Sequence, residues 1–151
     1  MLKIVCVGKL KEKFYSDACS EYLKRLSKYT KINIIELDDF GTDNISVALL
    51  KESELIKKKI DSKDYIITLE IEGKQLSSVD FSKKIEQITI DHPNIVFIIG
   101  GSYGLHDDIK KLSNYRLSIS KMTFPHQLFR VILLEQIYRA YKIINNEKYH
   151  K

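Results

Sequence analysis

The 151-residue sequence predicts an α/β fold, a parallel sheet of five to six strands with helices on both faces. Three observations carry this prediction. Short runs rich in Ile and Val recur along the chain, longer segments with apolar residues at helical spacing alternate with them, and Gly, Pro, Asn or Ser marks most junctions. Strand–helix alternation of this kind implies parallel strands joined by right-handed crossovers. No linker or repeat interrupts the pattern, so residues 1–151 read as one domain.

Residues 2–7 form an apolar run that stops at Gly8, as expected of a strand buried on both faces. Over residues 14–29, Phe14, Ala18, Tyr22, Leu23, Leu26 and Tyr29 recur with charges between them and give an amphipathic helix. Residues 32–37 are a second strand, 38–43 a turn, and Asp43 or Asn44 can cap a helix running to about Lys59. A third strand covers 65–71. Ser77 or Ser78 caps a helix over 79–90, and His92-Pro93-Asn94 breaks the chain before the strand at 95–99. After Gly100-Gly101-Ser102-Tyr103-Gly104 come a short helix near 107–113, a strand near 116–119, an irregular segment over 120–124 and a long helix over 125–144. Pro125 suits the first turn of that helix, where a missing N–H costs nothing.

The last helix is apolar around most of its circumference. Leu134, Ile137, Tyr138, Tyr141 and Ile144 share one face, Phe129, Leu133 and Ala140 widen it, and Glu135, Arg139 and Lys142 make a narrow polar stripe. A surface helix of a monomer needs only one apolar stripe. The surplus points to a twofold subunit interface, hence a homodimer, or else to a helix inserted deeply in its own domain.

With 44% hydrophobic and 30% charged residues, the composition is neither that of a disordered chain nor that of a membrane protein, and no apolar run approaches the ~18 residues of a spanning helix. The N-terminus shows no signal-peptide pattern, so a cytoplasmic location is expected. Cys6 and Cys19 form no CxxC pair and no His lies at ligand spacing from them, which argues for reduced thiols and no metal. A net charge of +5 favours an anionic partner. Lys9, Lys11 and Lys13 cluster near the start, and Lys148, His150 and Lys151 close the chain.

In an open parallel sheet, ligands bind beyond the carboxyl ends of the strands. Three stretches meet that description: residues 68–74, the glycine-rich 100–104, and 119–126. Glycines at 100, 101 and 104 permit positive φ and close approach of a ligand to the backbone. The stretch is not a phosphate cradle, because Gly73-Lys74 lacks the GxxxxGK[ST] spacing and no GxGxxG follows the first strand, so ATP and NAD are disfavoured. Taken alone, it also reads as a plain tight turn.

The stretches TLEIEGKQLSS (68–78), FIIGGSYGLH (97–106) and SKMTFPHQLFRVILLEQIYRAYKI (120–143), with terminal Tyr149-His150-Lys151, closely resemble the RlmH family of SPOUT methyltransferases. The resemblance runs from VGKLKEK near the start to the last residue. It implies a SPOUT fold with a C-terminal trefoil knot, a homodimer, and transfer of a methyl group from S-adenosyl-L-methionine to N3 of a pseudouridine in 23S rRNA, in the large subunit or the assembled ribosome. By the same resemblance the cofactor pocket falls to Leu69, Gly100, Ile119, Ser120, Lys121, Met122, Thr123 and Phe124.

The target nitrogen is an imide N–H, poorly nucleophilic at neutral pH, so a group must accept its proton or stabilise the resulting anion. His126 and His150 are the candidate acceptors. Arg130, which helical projection sets beside Leu134, Ile137 and Tyr141, is a third catalytic candidate through its charge, with an interface ion pair as its alternative role. The resemblance assigns the tail, Tyr149, His150 and Lys151, to substrate recognition, and Arg139 and Lys9, Lys11 and Lys13 are candidate phosphate contacts. The competing expectation is a ribosome-associated RNA-binding protein that keeps the fold and performs no chemistry.

Overall fold

The computed structural model describes residues 1–41 and 43–151. The expected turn over 38–43 therefore lies partly outside the described residues, at Thr42. The elements in chain order are β1 (Leu2–Val7), α1 (Lys13–Leu26), β2 (Ile32–Leu37), α2 (Ile45–Lys57), β3 (Tyr65–Gln75), α3 (Ser78–Asp91), β4 (Ile95–Ile99), α4 (Asp107–Leu112), β5 (Tyr115–Ser118) and α5 (His126–Ile144). Among the described residues the strands form one five-stranded sheet in the order β2-β1-β4-β3-β5, and every pairing is parallel.

Local chemistry sets the helix starts. The Asn44 side chain accepts from Val47 N–H at 3.2 Å, Ser77 Oγ from Asp80 N–H at 3.0 Å, and His106 Nδ1 from Asp108 N–H at 3.0 Å, each satisfying a donor that the first helical turn leaves free. Of the two pairs of candidate caps, Asn44 and Ser77 are the ones used. Pro125 stands at the N-cap position, one residue before α5 begins.

Side chains alternate across the two faces of the sheet. Leu2, Ile4, Cys6, Ile95, Phe97 and Ile99 pack with α1, α3 and α5, while Val5, Val7, Val96 and Ile98 pack with α2 and α4. The central strand β4 is buried at every position, whereas the edge strands β2 and β5 carry Asn33, Glu36 and Arg116. No helix is long and apolar enough to cross a membrane among the described residues.

Two differences from the sequence expectations bear on the site. β3 does not end at Ile71 but runs on to Gln75, because its end pairs with β5 a second time. Leu117 faces Leu69 and, past a bulge, Lys74, and Gln75 faces Ser118. Gly73 makes the second pairing possible, since a Cβ there would lie 2.7 Å from the Arg116 carbonyl oxygen. The other difference is Phe14, which does not join the apolar face of α1 but is 63% exposed.

The apolar circumference of α5 has an explanation within the chain. α5 lies between α1 and α3 on one face of the sheet, and every residue from His126 to Ile144 is buried or half-buried.

Candidate functional site

The carboxyl ends of β3, β4 and β5 and the start of α5 enclose a cavity of about 420 Å³. The size suits a small-molecule ligand. Of the expected pocket residues, Leu69, Gly100, Ile119, Ser120, Met122, Thr123 and Phe124 line it, and Lys121 does not. His126 lines it as well. Leu69, Ile99, Ile119, Phe124 and Phe129 make much of its wall apolar.

The wall at β4 depends on glycine. A Cβ on Gly100 would collide with the Gly104 carbonyl oxygen, and Gly104 itself holds φ +80°. Gly104 N–H closes the loop on Gly101 C=O at 3.1 Å. The opposite wall is a hydroxyl-pinned turn, in which Ser118 Oγ donates to Ser120 C=O at 3.1 Å and Ser120 Oγ accepts from Met122 N–H at 2.9 Å.

Charged groups meet at one side of the cavity. Glu70, buried and lining it, accepts from Arg116 Nε at 2.8 Å and Nη2 at 2.5 Å, and from Thr68 Oγ1 at 2.7 Å. Burial opposes ionisation of Glu70, but Arg116 and Thr68 outweigh it and hold the carboxyl below its usual range. Lys110 reaches Glu72 at 3.1 Å and Glu70 at 3.8 Å.

Glu52 of α2 backs the glycine loop. A Cβ on Gly101 would lie 3.4 Å from its Oε1 and 3.1 Å from Val7 Cγ1. Burial, reinforced by the negative charge of Asp39, pushes the Glu52 carboxyl up to about 7.

The remaining candidates lie elsewhere. Arg130 is buried and does not line the cavity. Its Nη1 donates to Glu36 Oε2 at 2.7 Å and its Nη2 to Gly8 C=O at 3.2 Å, which ties β1, β2 and α5 together below His126. Burial works against the Glu36 charge, but hydrogen bonds from Arg130 and Leu10 N–H keep the carboxyl below its ordinary value.

The tail lies along the second half of α5. Tyr149 packs edge-on to Tyr138 at 4.9 Å and donates to Glu135 at 3.2 Å, and the Arg139 guanidinium sits over the Tyr149 ring and 3.2 Å from His150 Nδ1. Lys151 is exposed. Arg139 is thirteen positions from His126 on α5, so at 1.5 Å per residue the tail's dock is about 20 Å from the cavity.

Sequence reasoning missed Glu70, Glu72, Lys110 and Gln127, all of which line the cavity. A signal for the acids existed. Thr68, Glu70 and Glu72 are polar at every second position of an otherwise apolar strand, which sends them to one face. Among the described residues no group of three or more His, Cys, Asp or Glu is placed to hold a metal ion.

Comparison with known proteins matches residues 1–150 to a family described as "Predicted SPOUT methyltransferase". Proteins named ribosomal RNA large subunit methyltransferase H are similar over nearly full length: 50% identical in Ruminiclostridium cellulolyticum and 51% in Clostridium tetani, each with 99% of both chains covered. The protein of that name in Caldicellulosiruptor saccharolyticus is 47% identical with 100% of both covered. Among solved structures, "a probable methylase family protein" from Haemophilus influenzae Rd KW20 shares the fold at TM-score 0.58 and 11% identity, over 99% of this chain and 70% of that one.

Proposed function

This chain belongs to the SPOUT methyltransferase family, and from that premise we propose that it transfers a methyl group from S-adenosyl-L-methionine to N3 of a pseudouridine in 23S rRNA of the large ribosomal subunit. The observation that carries the proposal is the convergence of three strand-end segments and His126 on one cavity. The names of the relatives support the RNA substrate.

The residues present fit the cofactor. Glycine removes side chains where a ligand approaches the backbone at Gly100, Leu69, Ile119 and Phe124 offer an apolar slot for an adenine, and the 118–122 turn presents main-chain polar groups. Lys110 and Glu72 offer opposite charges to an amino-acid end. When bound, the cofactor supplies a methyl carbon activated by a sulfonium that departs as a neutral thioether.

His126 takes the proton from N3 of the base as that nitrogen gains the methyl group. Arg130 acts as a positioning residue, holding Gly8 beside His126 through its bond to the Gly8 carbonyl. The apolar walls exclude water from the reacting centre. Tyr149, His150, Lys151 and Arg139 recognise substrate at a cavity other than their own chain's. Their dock, about 20 Å from His126, supports a homodimer in which each tail serves the partner's site. The double pairing of Leu117 with both arms of β3 supports the threaded C-terminal segment of a trefoil knot. A ribosomal substrate places the protein in the cytoplasm.

Purified protein incubated with labelled S-adenosyl-L-methionine and either large subunits or whole ribosomes, followed by mapping of the modified nucleotide, tests this proposal. Label at N3 of one pseudouridine is expected, and label confined to ribose or to protein overturns the assignment. Calorimetric titration separates the rival role, because an RNA-binding protein without chemistry would not take up the cofactor at about millimolar concentration.

A further inference from the structure

Phe14 is the most exposed of the chain's aromatic side chains that the structure leaves at the surface, at 63%, and Tyr103 follows at 51%. Its ring centroid lies 4.3 Å from that of Tyr15 with the two planes tilted by 48°, so the Tyr15 ring braces Phe14 in the first turn of α1. Lys9, Lys11 and Lys13 are exposed around it. Lys13 pairs with Asp17 at 2.8 Å, whereas Lys11 makes no ion pair among the described residues. Glu12 and Asp17 are the acids of this patch, which leaves it net positive.

The segment is fixed to the rim of the cavity. Gln127, which lines the cavity, accepts from Lys11 N–H at 2.8 Å and Glu12 N–H at 3.3 Å through its side-chain oxygen. Leu10 N–H donates to Glu36 at 3.1 Å, and that carboxylate also holds Arg130. An exposed Phe14, braced by a half-buried Tyr15, is therefore presented on a segment tied to Gln127 at the cavity rim, with Lys9, Lys11 and Lys13 around it. Aromatic faces stack unpaired bases and lysines neutralise phosphates, whereas a second copy of this basic chain would meet like charge here.

We propose that Phe14, braced by Tyr15, is a stacking platform for an unpaired RNA base next to the methylated nucleotide, with Lys11 on its phosphate backbone. This inference rests on the RNA substrate proposed above. It adds a second base-binding surface outside the cavity, one that fixes the RNA register while the target base is inside.

The chain contains no tryptophan, so Phe14→Trp introduces a single indole reporter. Its fluorescence should be quenched on titration with a short RNA hairpin bearing a single-stranded loop, and Lys11→Glu in that background should weaken the binding and lower its salt slope by about one. Phe14→Ala should raise KM for ribosomal subunits about tenfold, with kcat and cofactor affinity unchanged. Unquenched indole emission, an unaltered KM, or a change in sedimentation showing that Phe14 is covered by a second copy would overturn the platform. If wild-type protein methylates RNA and the Phe14 variants match it, the platform falls and the enzyme stands. If RNA quenches the indole but no methylation occurs, the platform stands and the enzyme falls.

Discussion

Two buried carboxylates flank the cavity and live in opposite electrostatic worlds. Glu70, on the bulged end of β3, is wrapped by Arg116, Thr68 and Lys110 and is held ionised. Glu52, on α2 behind the glycine loop, has no hydrogen-bond donor among the described residues and has only Asp39 as a charged influence, so it keeps its proton to about 7. Burial acts on both in the same direction. The number of donors within reach decides which one is charged.

The largest effect that sharpens this contrast is expected from Glu70→Ala, which strands Arg116, Thr68 and Lys110 around an empty position. A loss of about 3 kcal/mol is expected, seen as a fall of roughly 10 °C in Tm by thermal denaturation. Its wild-type stabilisation should also fade as pH drops through the lowered Glu70 value, because the folded state then has to take up a proton that costs it the ion pair.

Glu52→Gln should act the other way. The folded carboxyl titrates near 7 and an unfolded one at 4.5, so the native state binds the extra proton across that window and wild-type stability declines as pH rises through it. The amide removes the decline. Near pH 8 the variant should be about 3 kcal/mol more stable than wild type and near pH 4 about equal, as read from urea denaturation at the two pH values. A variant destabilised at pH 8 would show that the Glu52 carboxylate has a donor after all.

Arg116→Lys is the mildest change. It keeps the charge beside Glu70 but loses the two-pronged bond, so a loss of stability smaller than that of Glu70→Ala is expected from the same denaturation. Substitution at Gly100 probes the wall that Glu52 supports from behind. Gly100→Ala places a methyl group against the Gly104 carbonyl, so cofactor affinity by calorimetry should fall at least tenfold.

The legibility of the molecule follows from the range of the forces involved. Strands β1 and β4 are readable residue for residue, because burial on both sides demands an unbroken apolar run and that run is written locally, while the edge strand β2 is readable from its Ile-rich run despite Asn33 and Glu36. The three cavity segments were readable too, since strand ends and glycines are also local. The end of β3 was not, because Gly73 to Gln75 become strand only by meeting β5 some forty residues later in the chain. Phe14 misled for a related reason. Its spacing suits the apolar face of α1, but the buried residues of that helix are Cys19 and Leu26 further along it, and Phe14 in its first turn is left exposed. Neither the Arg130–Glu36 pair nor the pressure on Glu52 leaves a trace in spacing, because both depend on side chains brought together by the sheet order. The polar stripe of α5 is legible in its spacing, but its work as a dock for the tail is not, because it depends on Tyr149 and His150 folding back onto Glu135 and Arg139.

The strand order has a consequence for synthesis. β1 lies between β2 and β4, and β3 lies between β4 and β5, so the first half of the chain can zip only β1 to β2 while β3 emerges with no neighbour to bond. Until Ile95–Ile99 leaves the exit tunnel, the β1–β2 pair and an unpaired β3 display open apolar edges, and a pause in translation before that point would leave the nascent protein most vulnerable to clumping.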